Sequence, residues 1–292
     1  MNHKENLSGW GNNINVNSNI YLPRNNDDIT NLYKKGIALN SITRGLGRSY
    51  GDSSLDNNII SLKNYEKFIK FDSELGTLEC STNCSLNELL KLIVQKGWFF
   101  NVTPGSKFIT IGGAIASDVH GKNHHLDGSF CDYVFSFKII TSEGILYNCS
   151  KEENLELFHA SCGGMGLTGI IISVKIKLLK IKSKIINTEI VKTKNLDETI
   201  KSFKKFNENK YLVAWVDALA KNEHIGRSIF FIGNHSNEGD LNFLEKIKFA
   251  IPKIFPGFLL NKYTIRFFNR IYFFIQKNNK KVKQNLNNFF YP

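Results

Sequence analysis

Two glycine-rich runs constrain this chain more than any other feature. One is RGLGRSYGD, Arg44 to Asp52, and the other is TPGSKFITIGGAIASDVHGKNHHLDGSFCD, Thr103 to Asp132. Neither reads as a core strand, since the apolar side chains are scattered among glycines and polar groups. Both offer glycines, main-chain N–H groups and a few fixed polar groups, the composition of loops that hold a phosphate-bearing ligand against the backbone. Thr110 is placed to cap a short helix over Ile111 to Val119, with Gly121 as its stop. Gly112 and Gly113 in the first turn each cost roughly 1 kcal/mol of helix propensity against alanine. That cost makes sense where a ligand touches the backbone. The bare N–H groups of such a helix start suit a pyrophosphate, and Arg48 is placed to add a charge-assisted bond to the same anion.

Other phosphate motifs are excluded. No G-x-x-x-x-G-K-[ST] occurs, and Gly45, Gly47 and Gly51 are spaced one residue too wide for G-x-G-x-x-G. Gly164, Gly166 and Gly169 do match that pattern, but they follow a helical stretch and precede a strand. A dinucleotide fingerprint needs the reverse order. His120, His124 and His125 suggest a metal site at first sight. Gly121 interrupts the helix that would align His120 with His124, and only Asp118 and Asp127 offer a third ligand, so no metal is expected.

The pair GRSYGD and TPGS…TIGGAIASDVHGKNHH…DGSF resembles the decaprenylphosphoryl-ribose oxidase branch of the vanillyl-alcohol oxidase and p-cresol methylhydroxylase type of FAD flavoproteins. The resemblance continues through GGMGLTGII (Gly163 to Ile171), VAWVDALA (Val213 to Ala220), GRS (Gly226 to Ser228), TIRFFNRIYFF (Thr264 to Phe274) and FFYP (Phe289 to Pro292). It implies FAD held by Thr43, Arg44, Gly45, Leu46, Gly47, Arg48, Ser49, Tyr50, Gly51, Asp52 and Ser53 of the first run. From the second it implies Gly105, Thr110, Ile111, Gly112, Gly113, Ser117, Asp118, Val119 and His120, with Ile170 and Ile171 further on. It places His120 beside the isoalloxazine and Lys122 and Tyr50 near the sugar, as the catalytic set. Arg48 stands where related flavoproteins carry a flavin-linking histidine, so the FAD is expected to be noncovalent.

The reaction that the resemblance implies is oxidation of a hydroxyl on a polyprenyl-phosphate-linked sugar, by hydride transfer to flavin N5. An epimerase-type reductase is the implied partner. The family sequence continues past FFYP with further substrate-domain strands and a lysine close to the flavin; a longer chain or a second chain is expected to supply them. An aldonolactone oxidase on the same scaffold remains an alternative. So does a non-enzymatic basic module binding membrane or nucleic acid, although RNP-type and helix-turn-helix patterns are missing and no nucleic-acid partner is expected.

Charge is segregated along the chain. Residues 1–180 hold 18 Lys+Arg against 17 Asp+Glu, whereas residues 181–292 hold 20 against 9. Within 241–292, ten basic groups and one acidic group are interleaved with thirteen aromatics. That composition suits an anionic membrane surface or a phosphate-bearing lipid. Ile251 to Ile275 is apolar, but Lys253, Lys262, Arg266 and Arg270 interrupt it and Pro252 and Pro256 break its start, so an interfacial segment is expected and a span is not. Met1 to Asn19 is polar, without the apolar region of a signal peptide. Cys80, Cys84, Cys131, Cys149 and Cys162 show no zinc spacing and read as buried free thiols. The expected location is cytoplasmic, on the inner face of the membrane.

The fold expected is α+β, a two-subdomain FAD-binding domain over 1–180 followed by a partial substrate domain over 181–292. The lysine-rich stretch Ser173 to Lys184 marks the boundary. Capping boxes predict helices from Ser85 to Lys96 (stopped by Gly97), from Ser150 and from Asn195, and Asp27 to Lys35 reads as a fourth, closed by Gly36. Strands are predicted at Gly76–Ser81, Phe135–Thr141, Ile170–Leu179, Ile185–Val191, Leu212–Val216 and Ser228–Ile232, with a hairpin turn at Ser142 to Gly144.

Overall fold

The chain is described from a computed structural model covering residues 2–243, 257 and 260–291. It divides into two compact units. The first comprises residues 1–121 and 128–180, and the second residues 122–127 and 181–292.

The first unit begins with β1 (Asn2–Ser8) and β2 (Asn15–Tyr21), an antiparallel hairpin in register from Asn2 opposite Tyr21 to Ser8 opposite Asn15. Then come α1 (Asn26–Lys34), β3 (Ile42–Arg44) and β4 (Asn58–Ser61). β4 pairs in parallel with both β2 and β3, closing a sheet of order β1-β2-β4-β3. Asn25 caps α1 by accepting the Asp28 N–H, and Gly36 at φ 70° ends it. Ile29 and Tyr33 on its buried face pack with Ile60, Leu62, Ile140, Ile170 and Ile172.

The second sheet holds β5 (Ile69–Asp72), β6 (Thr77–Ser81), β7 (Trp98–Phe100), β8 (Val134–Ile140), β9 (Leu146–Ser150) and β10 (Ile170–Lys180). Its order is β5-β6-β10-β8-β9, antiparallel throughout, and β7 pairs the far end of β10. Lys175 and Lys177 alternate with buried Val174, Ile176 and Leu178 along β10, which identifies one core-facing and one solvent-facing side. Gly144 at φ 73° turns β8 into β9. Helix α2 (Leu86–Ile93) has a complete Ser85/Glu88 capping box and buries Leu86, Leu89, Leu90 and Ile93 at helical spacing. Gly97 in the left-handed conformation stops the short 3₁₀ turn that extends it.

Two helix expectations are corrected. α3 (Ile111–Ala116) ends at Ser117, short of Gly121, because the Asp118 N–H bonds the Ile115 carbonyl and Asp118 takes φ 38°. Its neighbour in sequence, α4 (His124–Asp127), belongs to the second unit. Ser150 caps no helix. It ends β9, and its hydroxyl accepts the Glu152 and Glu153 N–H groups in a turn; α5 (Leu155–Ser161) starts after a left-handed Asn154.

The second unit is one antiparallel sheet of order β12-β13-β11-β14, built from β11 (Ile185–Thr193), β12 (Tyr211–Val216), β13 (Ser228–His235) and β14 (Lys280–Asn285). Helix α6 (Leu196–Lys205), capped by Asn195, precedes Phe206, which packs with Leu212, Phe230 and Ile232. Helix α7 (Lys262–Ile275) is opened by Asn261, whose side chain accepts the Tyr263 and Thr264 N–H groups. Helix α8 (Leu286–Phe290) sets Phe289 and Phe290 edge-on to Tyr211. Of the basic segment 241–292, residues 244–256 and 258–259 lie outside the described residues, and with them much of the Ile251–Ile275 stretch. Among the described residues, no helix is long and apolar enough to cross a membrane. All five cysteines are free, and all but Cys162 are buried.

Candidate cofactor site

A cavity of about 360 Å³ lies in the first unit, where the two glycine runs meet the turn between β6 and α2. Thr43 of β3 lines it, with Arg44, Gly45 and Leu46 from the first run, Thr110, Gly112 and Gly113 from the second, and Ile171 at the start of β10. Sequence reasoning missed a further set. Ser61 ends β4 and Leu62, Lys63 and Lys67 follow it, Thr82, Asn83, Ser85 and Glu88 follow β6, and Ala116, Met165 and Gly166 complete the lining. Ala116 lies in the second run and Met165 and Gly166 in the Gly163–Ile171 stretch, but none was singled out as lining; the remaining residues are far apart in sequence, and of them only the Ser85/Glu88 box was readable, as a helix start.

The cap expected at Thr110 is present, its hydroxyl accepting the Gly113 N–H at 3.1 Å. The bare helix start is not. Ile111 N–H donates to the Cys84 carbonyl at 2.8 Å and Gly112 N–H to the Thr82 carbonyl at 3.0 Å, so the first turn of α3 is already satisfied by protein. Among the described residues, no protein acceptor takes the N–H groups of Leu46 through Gly51. Gly47 and Gly51 there have φ values of 64° and 65°. The free donors that suit a pyrophosphate are therefore in the first glycine run rather than at the helix.

That run is held open from behind. Arg44 turns its guanidinium inward, to the Ser54 carbonyl (3.0 Å), the Ser54 hydroxyl (2.9 Å) and the Ser8 carbonyl (2.7 Å). Burial pushes its pKa below the usual arginine value, and Glu5 partly opposes that. Trp10 N–H donates to the Ser49 carbonyl at 3.0 Å, and the Trp10 ring meets Tyr50 edge-on at 5.4 Å. The N-terminal hairpin thus braces the loop. Arg48 donates to the Phe108 carbonyl at 3.3 Å, linking the two runs instead of standing free for an anion.

Several expected site residues serve the loops and do not line the cavity. Ser117 contacts Met165 through its hydroxyl, Asp118 accepts the Cys131 N–H at 2.9 Å, and the Val119 carbonyl accepts the Phe130 N–H. Ile111 and Ile170 are buried in the core. Gly105 has open space around it, and Tyr50 is 79% exposed. The Asp52 carbonyl starts a turn to Leu55, and Ser53 in that turn is exposed. His120 forms an isolated bridge with Ser129.

Lys122 belongs to the second unit. Its ammonium donates to the Phe289 carbonyl and lies 4.7 Å from the Phe289 ring centroid. Burial lowers its pKa to about 8. Its own carbonyl accepts the Leu212 N–H at 2.8 Å. His125 and Asp127 on α4 bond the Asn209 carbonyl (3.1 Å) and the Lys210 ammonium (2.8 Å). Among the described residues, no group of three or more His, Cys, Asp or Glu gathers as a metal site.

Comparison with known proteins points to FAD as the cofactor. Residues 19–150 match the FAD-binding domain family. The chain is 32% identical over 265 residues to a decaprenylphosphoryl-β-D-ribose oxidase of Mycolicibacterium smegmatis, covering 86% of this chain and 58% of that protein. It is 27% identical over 174 residues to cytokinin dehydrogenase 3 of Arabidopsis thaliana, covering 55% and 32%. Against a D-lactate dehydrogenase of Anaerostipes hadrus the figures are 24% over 153 residues, 51% and 32%. The chain thus spans less than two thirds of the length of these relatives. Its cavity, its paired glycine loops and these similarities make it a member of the FAD-binding flavoproteins of the vanillyl-alcohol oxidase and p-cresol methylhydroxylase type, in the branch that resembles decaprenylphosphoryl-ribose oxidase.

Proposed function

We propose that this chain is the flavin-binding part of an oxidoreductase that converts a hydroxyl carbon of a polyprenyl-phosphate-linked sugar into a ketone. The observation that carries the reading is the cavity between the two glycine runs, in a chain similar over 86% of its length to a decaprenylphosphoryl-ribose oxidase. When bound, FAD supplies the hydride acceptor. The protein supplies position and electrostatics. Leu46 to Gly51 present their N–H groups to the pyrophosphate, with Gly45 and Gly113 keeping the approach free of side chains. The first unit is the cofactor domain; of the groups assigned to the sugar, Tyr50 and His120 belong to it and Lys122 to the second unit.

His120, Lys122 and Tyr50 are the polar groups we assign to the sugar. A lysine held near a pKa of about 8 by burial exchanges a proton close to neutral pH; it does so toward substrate only after leaving the Phe289 carbonyl. Arg48, at the position of the linking histidine in covalent flavoproteins, supports a noncovalent cofactor. The exposed aromatic and basic helix α7 supports attachment to the inner, anionic face of the membrane, where a lipid phosphate presents its sugar. The keto product calls for a reductase of the epimerase type as partner.

The test has two stages. The purified chain should show a yellow flavin spectrum, and acid should release all of the flavin. The protein completed to its relatives' length should then reduce a dye with a polyprenyl-phosphate pentose. Turnover of an aldonolactone alone would replace the lipid-linked substrate with a soluble one.

A further inference from the structure

We infer that Cys131 and Cys162 are an oxidation site: a peroxide joins the two thiols as a disulfide, which fastens the Gly163–Gly166 turn of the cavity lining and slows release of the cofactor. The slowing rests on the flavoprotein reading, whereas the crosslink does not.

The two thiols come from separate elements and meet at the end of α3. Cys131 opens the 3₁₀ turn before β8, and Cys162 follows α5. The Ile115 carbonyl accepts the Cys131 S–H at 3.6 Å and also, at 3.0 Å, the N–H of Gly163, next in sequence to Cys162. The Cys131 and Cys162 side chains are in hydrogen-bond contact with each other. Side chains that point together meet the first condition for a disulfide. Cys80 and Cys84 also touch, but both are fully buried, out of reach of an oxidant in solvent. Of the five cysteines, Cys162 alone is partly exposed.

Cys162 is therefore the thiol that meets the peroxide. Its sulfur attacks one peroxide oxygen, the O–O bond breaks, and a sulfenic acid forms with loss of water. The Cys131 sulfur then attacks the Cys162 sulfur, the S–O bond breaks, and a second water leaves carrying the Cys131 proton. The thiol pair loses two electrons, and one peroxide is reduced to two waters. Contact with Cys162 and burial push the Cys131 thiol up, and the hydrogen-bonded Asp118 carboxylate adds to this. Cys131 thus keeps its proton until the second step, the slower one, in which Asp118 is placed to take it.

The consequence for the cavity follows from what the link holds. Met165 and Gly166 line the cavity. Gly163, Met165 and Gly166 stand at φ 76°, 52° and 79°, a left-handed stretch that is unfavourable for methionine. Its main-chain ties to α3 are the Gly163 bond to Ile115 and the Met165 N–H to the Ala116 carbonyl at 2.8 Å. A turn held by so few bonds opens locally. A covalent link at its root removes open states.

The test uses the purified chain with FAD bound. Treatment with hydrogen peroxide, then alkylation and non-reducing peptide mapping, should yield a Cys131–Cys162 linked peptide, with Cys80, Cys84 and Cys149 still thiols. Release of FAD, followed by the recovery of free-flavin fluorescence, should be about fivefold slower after oxidation and should return to the parent rate with dithiothreitol. Cys162→Ser should show neither the link nor the slowing. Cys131→Ser should stop at a Cys162 sulfenic acid that dimedone traps. Oxidation of Cys162 in the parent without that link, or a link from Cys162 to its other neighbour Cys149, overturns the site. A Cys131–Cys162 link that leaves FAD release unchanged overturns its action on the cofactor. A chain that binds no FAD overturns the flavoprotein reading, while the linked peptide still decides the oxidation site.

Discussion

Lys122 and Phe289 are joined across 167 residues of sequence: the Lys122 ammonium donates to the Phe289 carbonyl and rests against its ring. The contact ties Lys122 of the HGKNHH stretch to the last helix of the second unit. It also makes stability depend on pH. In the native chain burial holds the Lys122 pKa at about 8, below the 10.5 of a free lysine. Between those values the unfolded chain carries a proton that the native chain lacks, so stability rises as the pH climbs from 8 toward 10.5. Below 8 both states are charged and the full cost of burial remains, at most roughly 3 kcal/mol. Lys122→Met should remove this term. Urea titrations at pH 7.5 and pH 10 should show the parent gaining about 2 kcal/mol relative to the variant; parallel behaviour of the two would refute the burial argument.

Gly45 gives the next prediction. A Cβ added there would stand 2.5 Å from the Thr110 hydroxyl, closer than any real contact, while the backbone itself tolerates alanine. Gly45→Ala should push the two glycine runs apart and weaken FAD binding about tenfold or more, as expected where backbone must approach a ligand closely. Thr110→Ala loses the α3 cap, worth about 1 kcal/mol, but it also removes the clash. The double variant should therefore bind FAD no worse than Thr110→Ala alone. Titration by flavin fluorescence quenching decides the point.

At Gly113 the surroundings differ. A Cβ there meets only the Thr110 hydroxyl, at 3.2 Å, and otherwise enters the cavity. Gly113→Val should fill space that the cofactor needs and abolish flavin retention. The circular dichroism of the flavin-free protein should stay that of the parent. Full occupancy of FAD in the purified variant would remove Gly113 from the site.

How much of this was readable in the sequence depended on range. The Ser85/Glu88 box, the Thr110 cap and the stop at Gly97 were readable because each bond spans three residues or fewer. The same local rule misplaced a helix start at Ser150, where the hydroxyl serves a turn at the end of β9. The N-terminal hairpin was invisible because its strands are polar and asparagine-rich, paired by backbone bonds that leave no apolar alternation. The free donors of the site were assigned to the wrong loop for a related reason. The Thr82 and Cys84 carbonyls that occupy the start of α3 come from a turn almost thirty residues earlier, and nothing local announces them.

The second unit has its own buried charge. Asp217 is bonded by Arg227 at 3.0 and 2.7 Å and by Asn269 of α7 at 2.7 Å. Burial alone would raise the Asp217 pKa, but the bonds from Arg227 and Asn269 outweigh it and hold the carboxyl below its usual range. Removing one partner of such a pair leaves an uncompensated charge, which costs about 3–5 kcal/mol. Arg227→Met should lower the urea midpoint accordingly, and Asn269→Ala should cost about 1–3 kcal/mol. Trp215, edge-on to Tyr272 of α7 at 4.9 Å, reports the transition by fluorescence. A loss below about 1 kcal/mol in Arg227→Met would mean that water reaches Asp217.

The last prediction concerns the outer side of α7. Asn269, Tyr272 and Phe273 engage the sheet side through Asp217, Trp215 and Arg227. Tyr263, Phe267 and Phe274 are 68%, 67% and 84% exposed, beside exposed Lys262 and Arg270. Large aromatics next to cations form an interfacial anchor, and each cation near an anionic surface contributes about 1 kcal/mol, screened within a Debye length. The chain should sediment with phosphatidylserine vesicles at low salt, and the bound fraction should fall several-fold as salt rises to about 0.5 M. Phe267→Ser with Phe274→Ser should weaken binding at every salt concentration, whereas Lys262→Gln with Arg270→Gln should flatten the salt dependence. Equal binding to neutral and anionic vesicles, or none to either, would sink the membrane-surface reading and favour a soluble sugar substrate.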